Sequence, residues 1–276
     1  MKASKKVNED TKWVFIKKGT CSRALFYILN REFDHPMDLE EKGVDLLAGG
    51  IAQNGYQCGL LWGAAMGVGA EASRRRNEPG EAIGLAISTT QSIVESFEKR
   101  AKSIECHEIT KADMKNKLSM AKYMLTGKFI SCYRLADKWA PEAIRVAKEG
   151  LSAEKITYVQ KPKSCTSEIA KKMGASQEQM LTVAGLAGGL GLSGNACGAL
   201  ATAIWIKMMA WYEENPKKSP ISNPLANNIV ESFLAETDYE FLCSEICGKR
   251  FNSIDEHTEY VNGGGCEKLL NVLAES

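Results

Sequence analysis

The sequence predicts an all-α protein made of two homologous helical-bundle domains in tandem. Apolar residues recur at helical spacing along most of the chain, alternating β-branched runs typical of strands are scarce, and the second half repeats the first. Apolar stripes at that spacing are buried when helices pack against one another. Because two fused copies of a unit often take the place of a homodimer, we expect a pseudo-twofold axis to relate the bundles.

Individual helices are predicted in order along the chain. A first helix is centred on Leu25, a longer one runs across residues 83–97, and a last one is centred on Leu270. Glycine and alanine crowd residues 59–72 and residues 198–203. Because side chains this small let helix backbones approach closely, we expect each of these two helices at the centre of its bundle.

The internal repeat is fixed by a five-letter word that occurs twice. Residues 93–97 and residues 229–233 both read IVESF, and the upstream segments 48–64 and 187–203 align without a gap. In that register eight of the nine cysteines form four pairs, with one member in each half: Cys21 with Cys165, Cys58 with Cys197, Cys106 with Cys243, and Cys132 with Cys266.

The repeat also sets the predicted domain boundaries. Residues 1–152 form the first four-cysteine helical repeat and residues 153–276 form the second, and each is the size of one domain. The junction is predicted within residues 150–163, where apolar periodicity is weak. The ninth cysteine, Cys247, stands opposite Thr110 and has no counterpart.

Most of the paired cysteines are predicted to open helices. Thr20 and Ser164 are N-cap residues directly before the first cysteine of each half, and the cysteines of the second and fourth pairs also follow turn or capping residues. Free backbone N–H groups and the positive end of the helix dipole favour a thiolate at such positions. Gly55 and Gly194, three residues before the second pair, are expected to adopt a positive φ or to pass close to a bulky neighbour.

Composition and charge exclude several classes of function. The formal net charge is +1 with acids and bases interspersed, which does not indicate nucleic-acid binding. Residues 46–70 and 179–206 carry no charge, but glycines and polar residues interrupt both segments, so no membrane insertion is expected. The N-terminal segment has no apolar signal region, so we expect a cytoplasmic protein, in which cysteines more often ligate metal or carry out redox chemistry than form disulfides.

Other residue types offer weaker candidates for chemistry. The histidines His35, His107 and His257 occupy no matching positions in the two halves, and we expect them on the surface or in loops rather than as ligands. Glu95 and Glu231 in the two IVESF words are expected on solvated helix faces. No Cys-x-x-Cys pair, P-loop, dinucleotide fingerprint or HExxH motif is present.

The four-cysteine pattern of each half resembles a family of redox-active proteins defined by the signature C_GCAxxG_C_C. The central motif reads CGLLWG at residues 58–63, with Leu60 where the family has alanine. It reads CGALAT at residues 197–202, with Thr202 where the family has glycine. All four signature cysteines are present in both halves.

The resemblance implies an all-α redox protein with one four-cysteine site per repeat. Position by position, the implied cofactor and metal ligands are Cys21, Cys58, Cys106 and Cys132 in the first half and Cys165, Cys197, Cys243 and Cys266 in the second. A related module accompanies an iron–sulfur centre in split-Soret-type cytochromes. No haem motif is present here, so only the cysteines are carried over.

Three hypotheses about function follow. The first is an electron-transfer protein with one [2Fe–2S] or [4Fe–4S] cluster per repeat, acting as a redox carrier or accessory subunit rather than as a stand-alone enzyme. The second is a thiol–disulfide redox enzyme or sensor, with Cys243 and Cys247 as the dithiol, four residues apart on one helical face. The third is a structural zinc site in each bundle. The sequence does not indicate a redox partner or an oligomeric state, nor whether the two cysteine sets form separate sites.

Overall fold

The computed structural model describes residues 5–154, 157–218, 220 and 223–276, and this part of the chain is all-α. Helices joined by turns make up the described residues, with no β-strand and only isolated β-bridges. After α1 (Lys5–Lys18), the first repeat contains α2 (Cys21–Glu32), α3 (Asp38–Gly43), the 3₁₀ helix η1 (Val44–Leu47), α4 (Gly59–Arg75), α5 (Pro79–Ala101), α6 (Cys106–Thr110), α7 (Lys117–Leu125) and α8 (Phe129–Leu151). The second repeat contains α9 (Cys165–Lys172), α10 (Gln177–Thr182), η2 (Ala184–Leu186), α11 (Gly198–Glu214), α12 (Pro224–Glu236), α13 (Cys243–Cys247), α14 (Ile254–Asn262) and α15 (Glu267–Glu275).

Helix order in the second repeat reproduces that in the first. From α9 to α15, each helix corresponds in turn to one from α2 to α8, and each η helix precedes the long central helix of its repeat. Matching caps begin these helices: the Thr20 side chain accepts from the Arg23 backbone N–H, and Ser164 accepts from that of Ser167. The tandem duplication predicted from the cysteines is therefore also visible in the helix order.

Glycines let the central helices pack backbone against backbone. A Cβ added at Gly63 of α4 would lie 2.0 Å from the carbonyl oxygen of Ser22 in α2. One added at Gly69, also in α4, would lie 2.2 Å from the carbonyl oxygen of Thr182 in α10. The predicted close approach of helices is thus confirmed within the first repeat and extends across the contact between the repeats.

The buried apolar residues form one continuous core that runs through both repeats. Trp62, Trp139 and Trp205 are fully buried in it, and each indole N–H donates a hydrogen bond, to the Gln57 carbonyl, the Ser96 hydroxyl and the Glu40 carbonyl respectively. The apolar residues of the IVESF words are buried in this core, whereas their glutamates are exposed as expected.

Polar and aromatic contacts also join the repeats. The Tyr212 hydroxyl donates to the buried carboxylate of Asp45 at 2.6 Å, and Tyr56 stacks on Phe241 with ring centroids 4.2 Å apart. Because Thr20, the cap before Cys21, also donates to Asp45 at 2.6 Å, the second repeat helps to fix the start of α2. The predicted domain boundary at residue 152 stays a prediction, and residues 155 and 156 of the predicted junction lie outside the described residues.

None of the described helices combines the length and the apolar character needed to cross a membrane. The uncharged segment 46–70 is divided between η1 and α4, and the segment 179–206 is divided among α10, η2 and α11. Glycine-rich turns separate η1 from α4 and η2 from α11, as predicted from the sequence. The expected cytoplasmic location stays a prediction.

We expect Gly63→Ala to lower the free energy of unfolding by about 1–3 kcal/mol, because the new methyl group would force α2 and α4 apart. Urea unfolding followed by circular dichroism measures this difference. The control Gly80→Ala should change stability by less than about 0.5 kcal/mol, since the nearest atoms to its Cβ belong mainly to the exposed side chain of Lys161, which can move. Equal stability of wild type and Gly63→Ala would contradict the tight packing of these helices.

Candidate functional site

In each repeat, an isolated antiparallel β-bridge joins the segments that lead into the helices of the second and third cysteines. We call this bridge the crossing. In the first repeat the Cys58 N–H donates to the Ile104 carbonyl and the Cys106 N–H donates to the Tyr56 carbonyl, both at 2.7 Å. In the second repeat the Cys197 N–H donates to Phe241 at 3.0 Å and the Cys243 N–H to Asn195 at 2.7 Å. These bonds hold the second and third cysteines of each set side by side.

A glycine in the left-handed region makes each crossing possible. Gly55 has a φ of +84° and Gly194 a φ of +78°, as predicted. The carbonyl of Gly55 accepts from the His107 N–H at 2.9 Å, and that of Gly194 accepts from the Ser244 N–H at 3.0 Å. Added Cβ atoms would lie 3.1 and 3.3 Å from the Cβ atoms of His107 and Ser244, so the chains pass close to each other.

All eight paired cysteines lie at the N-terminal ends of helices. The first cysteine of each set is the first residue of its helix, the second is the N-cap, and the third again opens a helix. Cys266 is the N-cap of α15, whereas Cys132 lies in the first turn of α8, which begins three residues earlier. The nine cysteines all carry free thiols.

The four cysteines of the first repeat come together. A hydrogen bond from Cys58 lowers the pKa of Cys21 and correspondingly raises that of Cys58. Burial raises the pKa of Cys106, and the negative charges of Cys21 and Cys132 raise it further. The Tyr123 hydroxyl of α7 lies 3.1 Å from the sulfur of Cys132. The four thiols therefore act on one another's charge, with Cys58 and Cys106 buried and Cys21 and Cys132 half-buried.

The second repeat brings five cysteines together rather than four. The sulfur of Cys247 lies 3.8 Å from that of Cys243 and 3.7 Å from that of Cys266. Burial raises the pKa of Cys165 to about 12 and that of Cys197 to about 11, with the negative charge of Cys247 adding to both shifts. The predicted contact between Cys243 and Cys247 is present, and Cys266 also contacts Cys247.

Cys247 is the thiol most readily ionised in this group. Hydrogen bonds from Cys243, Cys266 and Tyr260 lower its pKa to about 3, and the pKa values of Cys243 and Cys266 are raised in return. In the first repeat the equivalent residue, Thr110, instead donates to the Cys106 carbonyl at 2.7 Å. Because cysteine stands at position 247 where the first repeat has Thr110, the second site has one more thiol that can carry negative charge.

The prediction that His257 lies on the surface or in a loop is wrong. This residue belongs to α14 and is 1% exposed, because the helical spacing that buries Ile254 also turns His257 inward, edge-on to Phe251 at 5.0 Å between ring centroids. Its Nδ1 atom has no hydrogen-bond partner among the described residues, and burial lowers its pKa to about 4. His107 is exposed as expected, whereas His35 is partly buried and pairs with Glu178 at 2.7 Å.

In each repeat, a tyrosine that was not among the predicted site residues contacts the fourth cysteine. Tyr123 lies 3.1 Å from Cys132, and Tyr260 lies 3.9 Å from Cys266. Both come from the short helix that precedes the cysteine. The sequence held one signal for this pair, since a tyrosine stands six to nine residues before the fourth cysteine in both halves.

Among the described residues, no group of three or more Cys, His, Asp or Glu side chains is arranged to hold a single metal ion.

In reduced, metal-free protein we expect iodoacetamide at about pH 6 to alkylate Cys247 well before Cys165 and Cys197, because only the thiolate reacts and the pKa of Cys247 alone of the three is lowered. Mass spectrometry of peptides after timed quenching measures the rates. When the labelling is repeated at about pH 4, closer to the pKa of Cys247, Tyr260→Phe should slow it, because loss of a hydrogen-bond donor raises that pKa and lowers the thiolate fraction, whereas Tyr123→Phe in the other repeat should not. Faster labelling of Cys165 or Cys197 than of Cys247 would contradict this order.

Comparison with known proteins agrees with the duplicated cysteine geometry. The family described as "Putative redox-active protein (C_GCAxxG_C_C)" matches residues 20–143 and, a second time, residues 163–276. No curated protein and no solved structure matches the chain in the same comparisons. The two matches contain the two cysteine sets and cover most of the chain, so this protein belongs to the C_GCAxxG_C_C family of redox-active proteins and carries the family unit twice in tandem.

Proposed function

We propose that this protein is an electron-transfer protein that binds one iron–sulfur cluster in each repeat. The observation that carries the proposal is the convergence of four cysteines, each at a helix N-terminus, in the same order in both repeats. The ligands in this proposal are Cys21, Cys58, Cys106 and Cys132 for one cluster and Cys165, Cys197, Cys243 and Cys266 for the other.

The donor set fits the chemistry of such a group. Both [2Fe–2S] and [4Fe–4S] clusters take four cysteine thiolates, the number that each repeat supplies. A Cβ at Gly59 would lie 2.5 Å from the Cys21 sulfur, so the glycine of the signature keeps space open beside this ligand. Since burial raises the pKa of Cys106, Cys165 and Cys197, a positively charged ligand would stabilise the thiolate form of each of them.

The chain's own residues supply orientation and charge stabilisation. Bound iron–sulfur clusters accept and release electrons at a potential that depends on hydrogen bonds to sulfur and on exposure to solvent. Backbone N–H groups in the first turns of α2, α4 and α6 favour negative charge on the sulfurs that open those helices. Tyr123 can donate a hydrogen bond from its hydroxyl to the Cys132 sulfur. Burial of Cys58 and Cys106 keeps water away from their sulfur atoms.

Reciprocal contacts support a pseudo-twofold relation between the repeats. Helix α3 of the first repeat packs on α11 of the second, and their counterparts α10 and α4 pack on each other in turn. A twofold axis produces exactly this kind of reciprocal pairing. The thiol charges that act on one another also lie within the same repeat, which supports two separate sites rather than one shared site.

Anaerobically purified or reconstituted protein should be coloured and contain iron and acid-labile sulfide, because each four-thiolate set binds one cluster. Replacing Cys106 or Cys243 by serine should lower iron and sulfide by about half, and the double variant should lose nearly all of both. Visible absorbance together with iron and sulfide analysis measures this.

Cys247→Ser should leave the iron content unchanged, since Cys247 is outside the proposed ligand set. A colourless, iron-free protein after anaerobic reconstitution would sink the proposal. Two zinc ions per chain in the same sample, unaffected by oxidants, would instead support the remaining alternative of structural zinc sites.

A second candidate function is thiol–disulfide redox chemistry in the second repeat, favoured by the sulfur contacts of Cys247 at 3.7 and 3.8 Å. A hydroperoxide is a suitable oxidant. The Cys247 thiolate attacks the peroxide oxygen to give a sulfenic acid and an alcohol, and the thiol of Cys243 or Cys266 then displaces water to form the disulfide. The two electrons of the thiol pair reduce the O–O bond.

Under this second candidate, mild hydroperoxide treatment of the reduced protein should form a disulfide between Cys247 and either Cys243 or Cys266. Non-reducing peptide mapping by mass spectrometry identifies the pair. Cys247→Ser should abolish it, whereas Cys21→Ser in the first repeat should leave it intact. If all thiols of the second repeat survive the oxidant, this candidate loses its basis.

A further inference from the structure

Helix α7 is the outer cover of the first cysteine cluster. Tyr123 is the only residue of this helix that is buried, and its hydroxyl reaches the Cys132 sulfur at 3.1 Å. On the opposite side, Leu118 and Leu125 are 83% and 88% exposed. They lie seven residues apart and therefore share one face of the helix, which turns two large apolar side chains to solvent directly above a proposed redox site.

The same surface is strongly basic. Residues 111–130 contain five lysines and one acidic residue, Asp113, which gives this segment a net charge of +4. All five lysines are exposed, and none forms an ion pair with the described residues: Lys111, Lys115, Lys117, Lys122 and Lys128. Apolar side chains ringed by unpaired charges of one sign are typical of a surface that recognises a partner of opposite charge.

The equivalent surface of the second repeat differs at the same positions. With Tyr260 of α14 matched to Tyr123, Asp255 stands in place of Leu118, and Asn262 stands in place of Leu125. The chain itself covers this face: Asp255 accepts from the Val159 N–H at 3.1 Å, and Asn262 donates to the Gln160 side chain at 2.9 Å.

Lys122 of α7 likewise has an acidic counterpart, Glu259. In the first repeat, the high exposure of Leu118 and Leu125 shows that no described residue covers the corresponding face. The second repeat covers this face with its own chain, whereas the first repeat leaves it open, apolar and basic. The face on α7 is therefore available to a separate molecule.

We propose that the exposed face of α7 with its surrounding lysines is the docking site for an acidic redox partner protein. This inference rests on the proposed electron-transfer function and names the class of partner and the repeat it meets. Symmetric pairing of two copies of this chain through α7 would set lysines against lysines, so the charge favours a different, acidic protein. Docking here brings the partner to within one helix of Cys132.

The test uses the full-length protein and a plant-type [2Fe–2S] ferredoxin, a small acidic redox protein, as the probe. Binding is measured by isothermal titration calorimetry at several salt concentrations. Carbodiimide, which joins contacting lysines and carboxylates, then maps the contact by mass spectrometry. We expect affinity to fall as salt rises, and cross-links to concentrate at Lys115, Lys117 and Lys122.

Two variants separate the charge contribution from the apolar one. Lys117→Glu with Lys122→Glu should raise the Kd about tenfold or more at low salt, whereas Lys217→Glu with Lys218→Glu, which reverses two exposed lysines of the second repeat, should change it by less than about twofold. Leu118→Ser with Leu125→Ser should raise the Kd about fivefold without changing the salt dependence. Circular dichroism checks that each variant is folded.

Three results would overturn the proposal. The first is an absence of ferredoxin binding at low salt, or equal binding by wild type and the α7 charge variant. The second is that the wild type binds phosphatidylserine vesicles but not ferredoxin, and that the variant Lys117→Glu with Lys122→Glu loses the vesicle binding. This result would assign the face to a membrane. The third is a dimer of this chain that the α7 variant abolishes. The docking result is independent of the iron analysis: weaker binding by the α7 variant in an iron-free protein would preserve the surface and reject the clusters.

Discussion

The constraint on which the structure depends is the pair of backbone hydrogen bonds that crosses each repeat just before its second and third cysteines. The bonds from the Cys58 and Cys106 amides are 2.7 Å long and join segments that lie almost 50 residues apart in the chain. A buried amide left unpaired costs about 1–3 kcal/mol, so this crossing is fixed once the helices pack. Because Gly55 supplies the positive φ at its edge, the crossing requires a residue without a side chain there.

The crossing exposes the thiols to two opposing electrostatic effects, burial and the helix N-terminus. It draws sulfur atoms into an apolar interior, where burial disfavours a thiolate and raises the pKa of Cys106 and Cys197. Each sulfur is nevertheless at a helix N-terminus, where N–H groups favour negative charge. In the second repeat Cys247 relieves part of this conflict, because it collects hydrogen bonds from two neighbouring thiols. The first repeat has Thr110 at this position and retains four thiols alone.

Features that depend on local spacing were predictable from the sequence. The all-α class, the N-caps at Thr20 and Ser164, and the positive φ of Gly55 each follow from a residue and its near neighbours. The burial of His257 was not predictable in this way, because it depends on which segments pack over α14. Contacts with the fourth cysteine were also missed, since Tyr123 reaches Cys132 only after α7 folds back over the cluster.

Duplication explains why these differences accumulate in one chain without loss of the fold. The shared elements, which are the crossing, the glycine turn and the helix caps, determine where the cysteines lie, so both copies keep them. Residues that surround the cysteines are free of that constraint, and the copies differ there in thiol number at Cys247 and in surface charge at Asp255 and Leu118. The Asp45–Tyr212 hydrogen bond joins the copies beside the first cysteine helix, so the second repeat helps to hold the frame of the first even though the residues around its own cysteines differ.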